Sequence, residues 1–273
     1  MTNNNKPFAM FFNTSPRKGS NTAKMLEAAK AGAEEAGAED VIPTNCRWIV
    51  RVMFGGCIAF SYLAYCLGLS SDNTVCRAMV NNVFLAYLPV EMSFHVSWKR
   101  HAFAFWGMFI AWLLFYPNAP YVLTDYFHLA HIDPYITQEG GKCIRIVRPD
   151  LRLWLTFTVL SASAMISAIL GTWSLDHVVG HLQARIRCHG SVWLFLLVAA
   201  LAALSSIGIY LGRFPRIHSV HMLTRPRHVL GKMATSCNLN MFEFVILLTL
   251  TQLVMWGCLR LLRKASQINP QTD

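Results

Sequence analysis

The residues best suited to chemistry lie in one short polar stretch that follows an apolar segment. Tyr121, Thr124, Asp125 and His128 stand at relative positions 0, 3, 4 and 7, which places them on one face of a helix. A carboxylate and an imidazole at this spacing can orient a proton carrier or bind a metal ion. The same pair can equally form an interface hydrogen bond that does no chemistry.

Two further charged residues extend this set of candidates. Glu91 lies inside an apolar run, and an acid within a membrane span is a functional candidate by default. The alternative is that its side chain simply extends toward the membrane boundary. Arg213 lies in the loop after a later apolar run and is the expected partner of Asp125, because a guanidinium stabilises a carboxylate near the boundary. The candidate catalytic residues are therefore Asp125, His128, Arg213 and Glu91.

A larger polar cluster is expected around these residues, and no metal site is predicted. Its expected members are Asn118, Asp125, His128, Arg213 and Tyr210. Asp176, His177 and His181 form a second polar set, in which the two histidines stand at i, i+4 and could ligate a metal. No third ligand is placed to complete such a site, and a solvated loop is the expected setting. The eight cysteines include no C-x-x-C pair, so neither a zinc ribbon nor a disulfide framework is predicted.

The composition indicates a membrane environment for these residues. Of 273 residues, 54% are hydrophobic and 14% are charged, whereas soluble domains carry about 25% charged residues. The formal net charge is +10, and the basic residues form short clusters between apolar runs. That pattern is typical of helix ends at anionic lipid headgroups rather than of a nucleic-acid groove. The expected partner is the lipid bilayer, with an unidentified small-molecule or lipid ligand.

Six apolar runs are long enough to predict a six-transmembrane-helix bundle, an all-α membrane fold. The runs are about 48–69, 78–98, 102–116, 151–171, 191–210 and 241–262. The predicted domains are an N-terminal fragment at 1–45, a transmembrane domain at 46–264 and a tail at 265–273. In the fourth run Ser163 and Ser167 stand four apart, and this small-residue spacing predicts central packing.

Six spans would place both termini on one side of the membrane, here called side A. Side B then receives the loops that follow the first, third and fifth spans. Basic residues near the spans tie between the two sides, so the positive-inside rule does not decide the orientation. The basic residues of the N-terminal arm tilt the balance toward termini in the cytoplasm, in the inner membrane of a bacterial cell.

The N-terminal arm has the pattern of an anion-binding βα unit, in which a loop precedes a helix N-terminus. Its loop runs from Thr14 to Thr22 and resembles the first loop of flavodoxin-like NADPH-dependent FMN reductases, G-S-P-R-K-G-S-N-T. The resemblance, over about 6–42, implies that the phosphate contacts are Ser15, Arg17, Ser20, Asn21 and Thr22. It stops after one βα unit, whereas a doubly wound sheet needs about five strands. We therefore predict that this short βα arm binds no flavin, and no cofactor is predicted.

The membrane portion resembles a second family. Residues 113–129, from Leu113 through Tyr116-Pro117-Asn118-Ala119-Pro120 to Leu129, carry its most distinctive motif, and 82–89 and 208–214 match as well. Within the motif, Asn118 can cap a helix, and Pro120 is tolerated in its first turn. The stretch about 48–262 resembles an uncharacterised bacterial membrane-protein family, domain of unknown function 1361. The resemblance implies an architecture and no activity, and its motif positions include Asn118, Pro120, Tyr121, Thr124 and Tyr210.

Three functions are compatible with the sequence. The first is a transport or binding bundle that uses the proline-interrupted third span and Glu91. The second is a membrane-embedded enzyme that acts on a lipid-linked substrate through Asp125 and His128. The third, a membrane-tethered flavin reductase, lacks the strands that it would need. Whether the protein is an enzyme is left open.

Overall fold

The computed structural model describes residues 44–97, 99–132, 135–138, 144–188, 190–214, 227, 231 and 238–268. The chain forms two units: Trp48–Leu259, and Met1–Arg47 together with Arg260–Asp273. The described part of the second unit comprises only the first turn of one helix and the last turns of another. The predicted βα arm and its phosphate loop lie outside the described residues.

The described residues are α-helical apart from one short hairpin. The helices are α1 (Thr44–Cys66), α2 (Asn73–Ser93), α3 (Ala102–Phe115), α4 (Asn118–Tyr121), a 3₁₀ helix (Val122–His131), α5 (Leu151–Ile186), α6 (Ser191–Arg213) and α7 (Leu239–Ile268). Strands β1 (Tyr135–Gln138) and β2 (Ile144–Val147) pair in antiparallel register between the 3₁₀ helix and α5. This hairpin was not expected from the sequence.

Five helical segments in the described ranges are long and apolar enough to cross a bilayer. They are Asn45–Cys66, Ala102–Ala130, Leu151–Ile186, Ser191–Arg213 and Leu239–Ala265. Helix α2, which covers the predicted second span, is not among them, because Arg77, Asn81, Asn82 and Glu91 lower its hydropathy. The predicted end of the third span at Tyr116 matches the end of α3 at Phe115, and the helical segment then continues through α4 and the 3₁₀ helix to Ala130.

Helix α5 is the central element of the bundle. It packs against α2, α4, the 3₁₀ helix and α6, so the predicted central packing of the serine- and alanine-rich span is confirmed. The predicted end of this span near Gly171 is wrong, because the helix continues to Ile186. Asp176 therefore lies within a helix at 6% exposure instead of in a solvated loop. Its carboxylate accepts a hydrogen bond from the indole N–H of Trp256 at 2.8 Å.

Two glycines let the segment after α3 approach its neighbours closely. A Cβ added at Gly171 of α5 would lie 2.6 Å from the Cβ of Ala119, and one at Gly208 of α6 would lie 2.9 Å from Cγ of Pro117. Only hydrogen atoms fit in these gaps, because carbon atoms of adjacent side chains normally sit about 3.5–4.0 Å apart. The glycines thus fix the turn Tyr116–Tyr121 against α5 and α6.

An apolar core lies between α3, α5 and α6. It is built on aromatic residues of α3, with Trp112 and Tyr116 almost fully buried against aliphatic residues such as Leu175 and Val198. The Trp112 indole N–H donates to Ser174 Oγ at 2.9 Å, which satisfies its one polar atom. This core anchors α3 and thereby sets where the polar segment after it begins.

Capping residues fix the starts of α2 and α5. Asp72 precedes α2 and accepts bonds from the Thr74 hydroxyl at 2.6 Å and the Thr74 backbone N–H at 2.8 Å. The pKa of the Asp72 carboxyl lies below its ordinary value. The hydrogen bond from the Thr74 hydroxyl is the main cause, and bonds from backbone N–H groups at the helix start add to it, although partial burial opposes them. Asp150 caps α5 in the same way through the Arg152 N–H at 3.0 Å.

Candidate functional site

The candidate site begins where α3 is interrupted. Pro117 has no backbone N–H to donate and cannot continue the α-helix in its normal hydrogen-bonding pattern. The carbonyl of Phe115 accepts the Asn118 side-chain amide at 2.8 Å instead. The chain resumes as the short α4 and then tightens into the 3₁₀ helix, in which residues three apart lie on the same edge. Asp125 and His128 therefore share one edge.

Asp125 is the centre of the site, which we call the carboxylate cluster: Asp125, Arg213, Asn82 and His128. The Asp125 side chain is fully buried. Its Oδ1 accepts from Nη1 of Arg213 at 3.0 Å, and its Oδ2 accepts from the Asn82 amide at 2.6 Å. Nε2 of His128 lies 3.7 Å from Oδ1. Three elements, namely α2, the 3₁₀ helix and the end of α6, thus meet at one carboxylate.

Arg213 also fixes the backbone of the 3₁₀ helix. Its Nη2 donates to the Thr124 carbonyl at 3.1 Å and its Nη1 to the Tyr121 hydroxyl at 3.3 Å. The guanidinium carbon lies 5.8 Å from the centre of the Tyr121 ring, within the range of a cation–π contact. The Thr124 hydroxyl is occupied by the Tyr121 carbonyl at 2.7 Å. One side chain therefore satisfies an acid, a backbone carbonyl and a phenol.

The carboxylate cluster combines a buried ion pair with a partly exposed histidine. Removing one partner of a buried ion pair costs about 3–5 kcal/mol, because the other charge is left without compensation. Asp125 is 1% exposed at its side chain and Arg213 21%, whereas His128 retains 34% exposure. His128 is therefore the member that connects the buried carboxylate with the surroundings. A carboxylate beside a partly exposed imidazole can position a proton on that imidazole.

The structure brings together three of the five side chains expected in the polar cluster. Asp125, His128 and Arg213 meet, and the expected contact between Asp125 and Arg213 is present. Asn118 instead bonds the Phe115 carbonyl, and Tyr210 packs edge-on against the ring of Phe244.

Glu91 belongs to a second polar group. Arg51 of α1 binds its carboxylate through two N–H groups, with Nε at 3.2 Å from Oε2. The Tyr87 hydroxyl donates to Oε2 at 2.7 Å, and Nε2 of His95 lies 3.9 Å from Oε1. The alternative in which Glu91 only extends toward the boundary is therefore incomplete, because the acid is paired with an arginine of the neighbouring helix.

Two polar groupings were not foreseen from the sequence. The Asn82 amide is a direct partner of the Asp125 carboxylate. Gln252 of α7 is 1% exposed and links Tyr116, the Ala202 carbonyl and Ser206 through bonds of 2.9–3.2 Å. A glutamine in the middle of an apolar run was the sequence signal that could have indicated this second grouping.

Within the described ranges, no three His, Cys, Asp or Glu side chains come together as metal ligands.

Long apolar helices with buried polar clusters between them define a class of protein: a multi-pass α-helical integral membrane protein. The chain belongs to the family described as protein of unknown function (DUF1361), whose model matches residues 81–255. The expected family is thereby confirmed over a shorter range than about 48–262. No curated protein and no solved structure matches the chain. The resemblance of the N-terminal arm to FMN reductases stays a prediction.

Proposed function

We propose that this protein is a binding or transport bundle whose site is the carboxylate cluster. One observation carries the proposal. The third span is interrupted at Pro117, and the segment after the interruption holds the fully buried Asp125. Interrupted spans and intramembrane acids are the features from which membrane transport proteins build their sites. The cluster supplies both, together with an arginine and an amide that hold the acid in place.

The chemistry of the cluster favours protons or a small proton-coupled solute as the ligand. Both carboxylate oxygens of Asp125 are engaged by donors, so a further anion finds no attraction there. Protonation of His128 would add a positive charge 3.7 Å from the acid, and deprotonation would remove it. A change of charge on one partly exposed imidazole is thus sensed directly by the buried ion pair.

We infer a six-span topology for this bundle, with α2 as the second span and both termini in the cytoplasm of a bacterial cell. The polar residues that lower the hydropathy of α2 are compensated inside the protein. Asn82 bonds Asp125, and Glu91 bonds Arg51. Compensation by neighbouring helices is what allows polar side chains to reside in a span. Side B would then carry the carboxylate cluster near its boundary.

The proposal is tested with purified protein in vesicles that contain a pH-sensitive dye. An imposed pH gradient should relax faster with the native protein than in protein-free vesicles. Asp125→Asn should return the rate to the protein-free level, because the amide cannot carry the charge. The matched control is Asp150→Asn, which makes the same change at an exposed helix cap and should relax like the native protein. Equal rates for native and protein-free vesicles would refute proton movement.

The folded yield of Asp125→Asn separates function from structure. If Asp125 serves the ligand, the variant should express and fold at nearly the native level while activity is lost. If the acid only holds α2, the 3₁₀ helix and α6 together, the folded yield should fall instead. That second outcome would assign the cluster a structural role and end the proposal.

An alternative function is supported by the distance of 3.7 Å between Asp125 and His128. An imidazole oriented by a carboxylate can act as a general base. Because the site lies in a membrane protein, the substrate of such an enzyme would be a lipid or a lipid-linked molecule. Incubation in vesicles of defined lipid composition, followed by mass spectrometry of the lipids, tests this reading. A product that forms with the native protein and not with His128→Gln would favour the enzyme over the transport bundle.

A further inference from the structure

Helix α5 carries a line of hydroxyl groups along its buried face. At about 100° per residue, Thr156, Ser163, Ser167 and Ser174 fall within about 20° of one line parallel to the helix axis. All four are at most 1% exposed. At about 1.5 Å per residue, the line from Thr156 to Ser174 is about 27 Å long, close to the thickness of about 30 Å of a bilayer hydrocarbon core.

The two ends of this line are satisfied by protein groups. The Thr156 hydroxyl accepts the Ser71 N–H at 3.0 Å and donates to the Arg152 carbonyl at 2.8 Å. At the other end, Ser174 Oγ accepts the Trp112 indole N–H at 2.9 Å. Both end hydroxyls are therefore held by bonds to neighbouring groups.

The two hydroxyls in the middle differ. Ser163 Oγ and Ser167 Oγ are buried and have no hydrogen-bond partner among the described residues, a state that they share with Ser161 and Ser205 outside the line. An unpaired buried hydroxyl is costly, and buried polar groups in folded proteins almost always have a protein or water partner. Two such groups side by side on one helix face favour a shared ligand other than a side chain of the described residues.

We propose that Ser163 and Ser167 bind one ordered water molecule inside the bundle. The Cβ atoms of residues four apart on a helix are about 5–6 Å apart, and their Oγ atoms can lean toward each other. A water that makes two hydrogen bonds of about 2.8 Å at a bent angle spans about 4.5 Å, which two such hydroxyls can reach. Each hydroxyl can both donate and accept, so the water gains two protein partners, the minimum for a buried site. A charged ligand is disfavoured, because the line consists of neutral hydroxyls.

The proposed water site does not depend on the proposed transport function. Its ligand is a solvent molecule held about halfway along α5, one turn before Gly171, where the turn Tyr116–Tyr121 packs. The test therefore needs no substrate and uses the stability of the full-length protein in detergent or nanodiscs.

The sign of the stability change decides the question. Ser163→Ala and Ser167→Ala each take a partner from the water, and each should lower the midpoint of thermal unfolding by about 2–6 °C. Because both serines hold the same water, the double variant should lose less than the sum of the two single losses. The matched control is Ser61→Ala, an equally buried serine whose hydroxyl already bonds the Cys57 carbonyl of its own helix at 2.8 Å. Ser61→Ala should lower the midpoint of thermal unfolding less than either Ser163→Ala or Ser167→Ala.

Three results would overturn the proposal. A midpoint that is unchanged or higher in both alanine variants would mean that the hydroxyls are simply unpaired, since removing them then relieves a cost. Strictly additive losses would mean that the serines do not share a ligand. A density map that resolves other internal waters but shows none within about 3.2 Å of both Oγ atoms would exclude the site directly.

Discussion

Replacement of Gly171 by alanine tests the closest helix contact in the bundle. The added Cβ would lie 2.6 Å from the Cβ of Ala119, about 1 Å inside the normal separation of carbon atoms. Backbone atoms on both sides hold this contact, so the cost is that of overpacking, about 1–3 kcal/mol. It is offset by the helix preference of alanine over glycine, about 1 kcal/mol.

The matched control for this variant is Gly180→Ala in the same helix. An added Cβ at Gly180 meets no atom within 4 Å, so this variant keeps only the gain in helix preference. Gly171→Ala should therefore be less stable than Gly180→Ala by about 1–3 kcal/mol. Unfolding in detergent can be followed by the fluorescence of the eight tryptophans.

A second-site change makes the test specific for the contact. Ala119→Gly removes the opposing Cβ, after which the nearest atom to the new Cβ at position 171 is the Cα of residue 119 at 3.8 Å, an ordinary contact. In a double-mutant cycle the two changes should show a favourable coupling of about 1–3 kcal/mol. If Gly171→Ala and Gly180→Ala are equally stable, or if the coupling is zero, the described approach of α5 to α4 is wrong.

Three more predictions concern the rest of the chain. Arg51→Met should lower the midpoint of thermal unfolding, because the Glu91 carboxylate loses the two N–H groups that bind it. Adding Glu91→Gln should recover part of this loss. A midpoint for the double variant below that of Arg51→Met alone would contradict the pairing. Deletion of residues 1–44 should leave membrane insertion intact, and the intact purified protein should show no flavin absorbance; stoichiometric FMN would refute the second half. Reporters fused at positions 20 and 268 should face the same side of the membrane, and opposite sides would exclude six spans.

Hydropathy was enough to predict most of the helices, and it failed where buried polar groups have partners. The apolar runs place α1, α3 and α6 to within about four residues, whereas α7 continues well beyond its predicted end at about residue 262. The run of α5 was cut short because Asp176, His177 and His181 look like loop residues. In the fold Asp176 is buried and bonded by Trp256, a partner 80 residues away that periodicity cannot reveal.

The candidate site was partly predictable from residue spacing and from charge pairing. Spacing on the sequence put Asp125 and His128 on one helix edge, and the rule that a buried acid needs a cation pointed to Arg213. The partner of Glu91 could also have been found. Arg51 lies near the start of the first span and Glu91 near the end of α2, and consecutive antiparallel helices bring such positions to a similar depth. The tight 3₁₀ geometry has no comparable signal.

The 3₁₀ helix after the interruption has a mechanical consequence. Its ten residues, Val122–His131, rise about 2.0 Å each with three residues per turn, whereas an α-helix rises about 1.5 Å with 3.6 residues per turn. Conversion of the segment to an α-helix would shorten it by about 5 Å and turn its far end by about half a revolution. Rewinding would also change the angle between Asp125 and His128 about the helix axis by about 60°, because the two residues are three apart and each residue turns about 20° less in an α-helix.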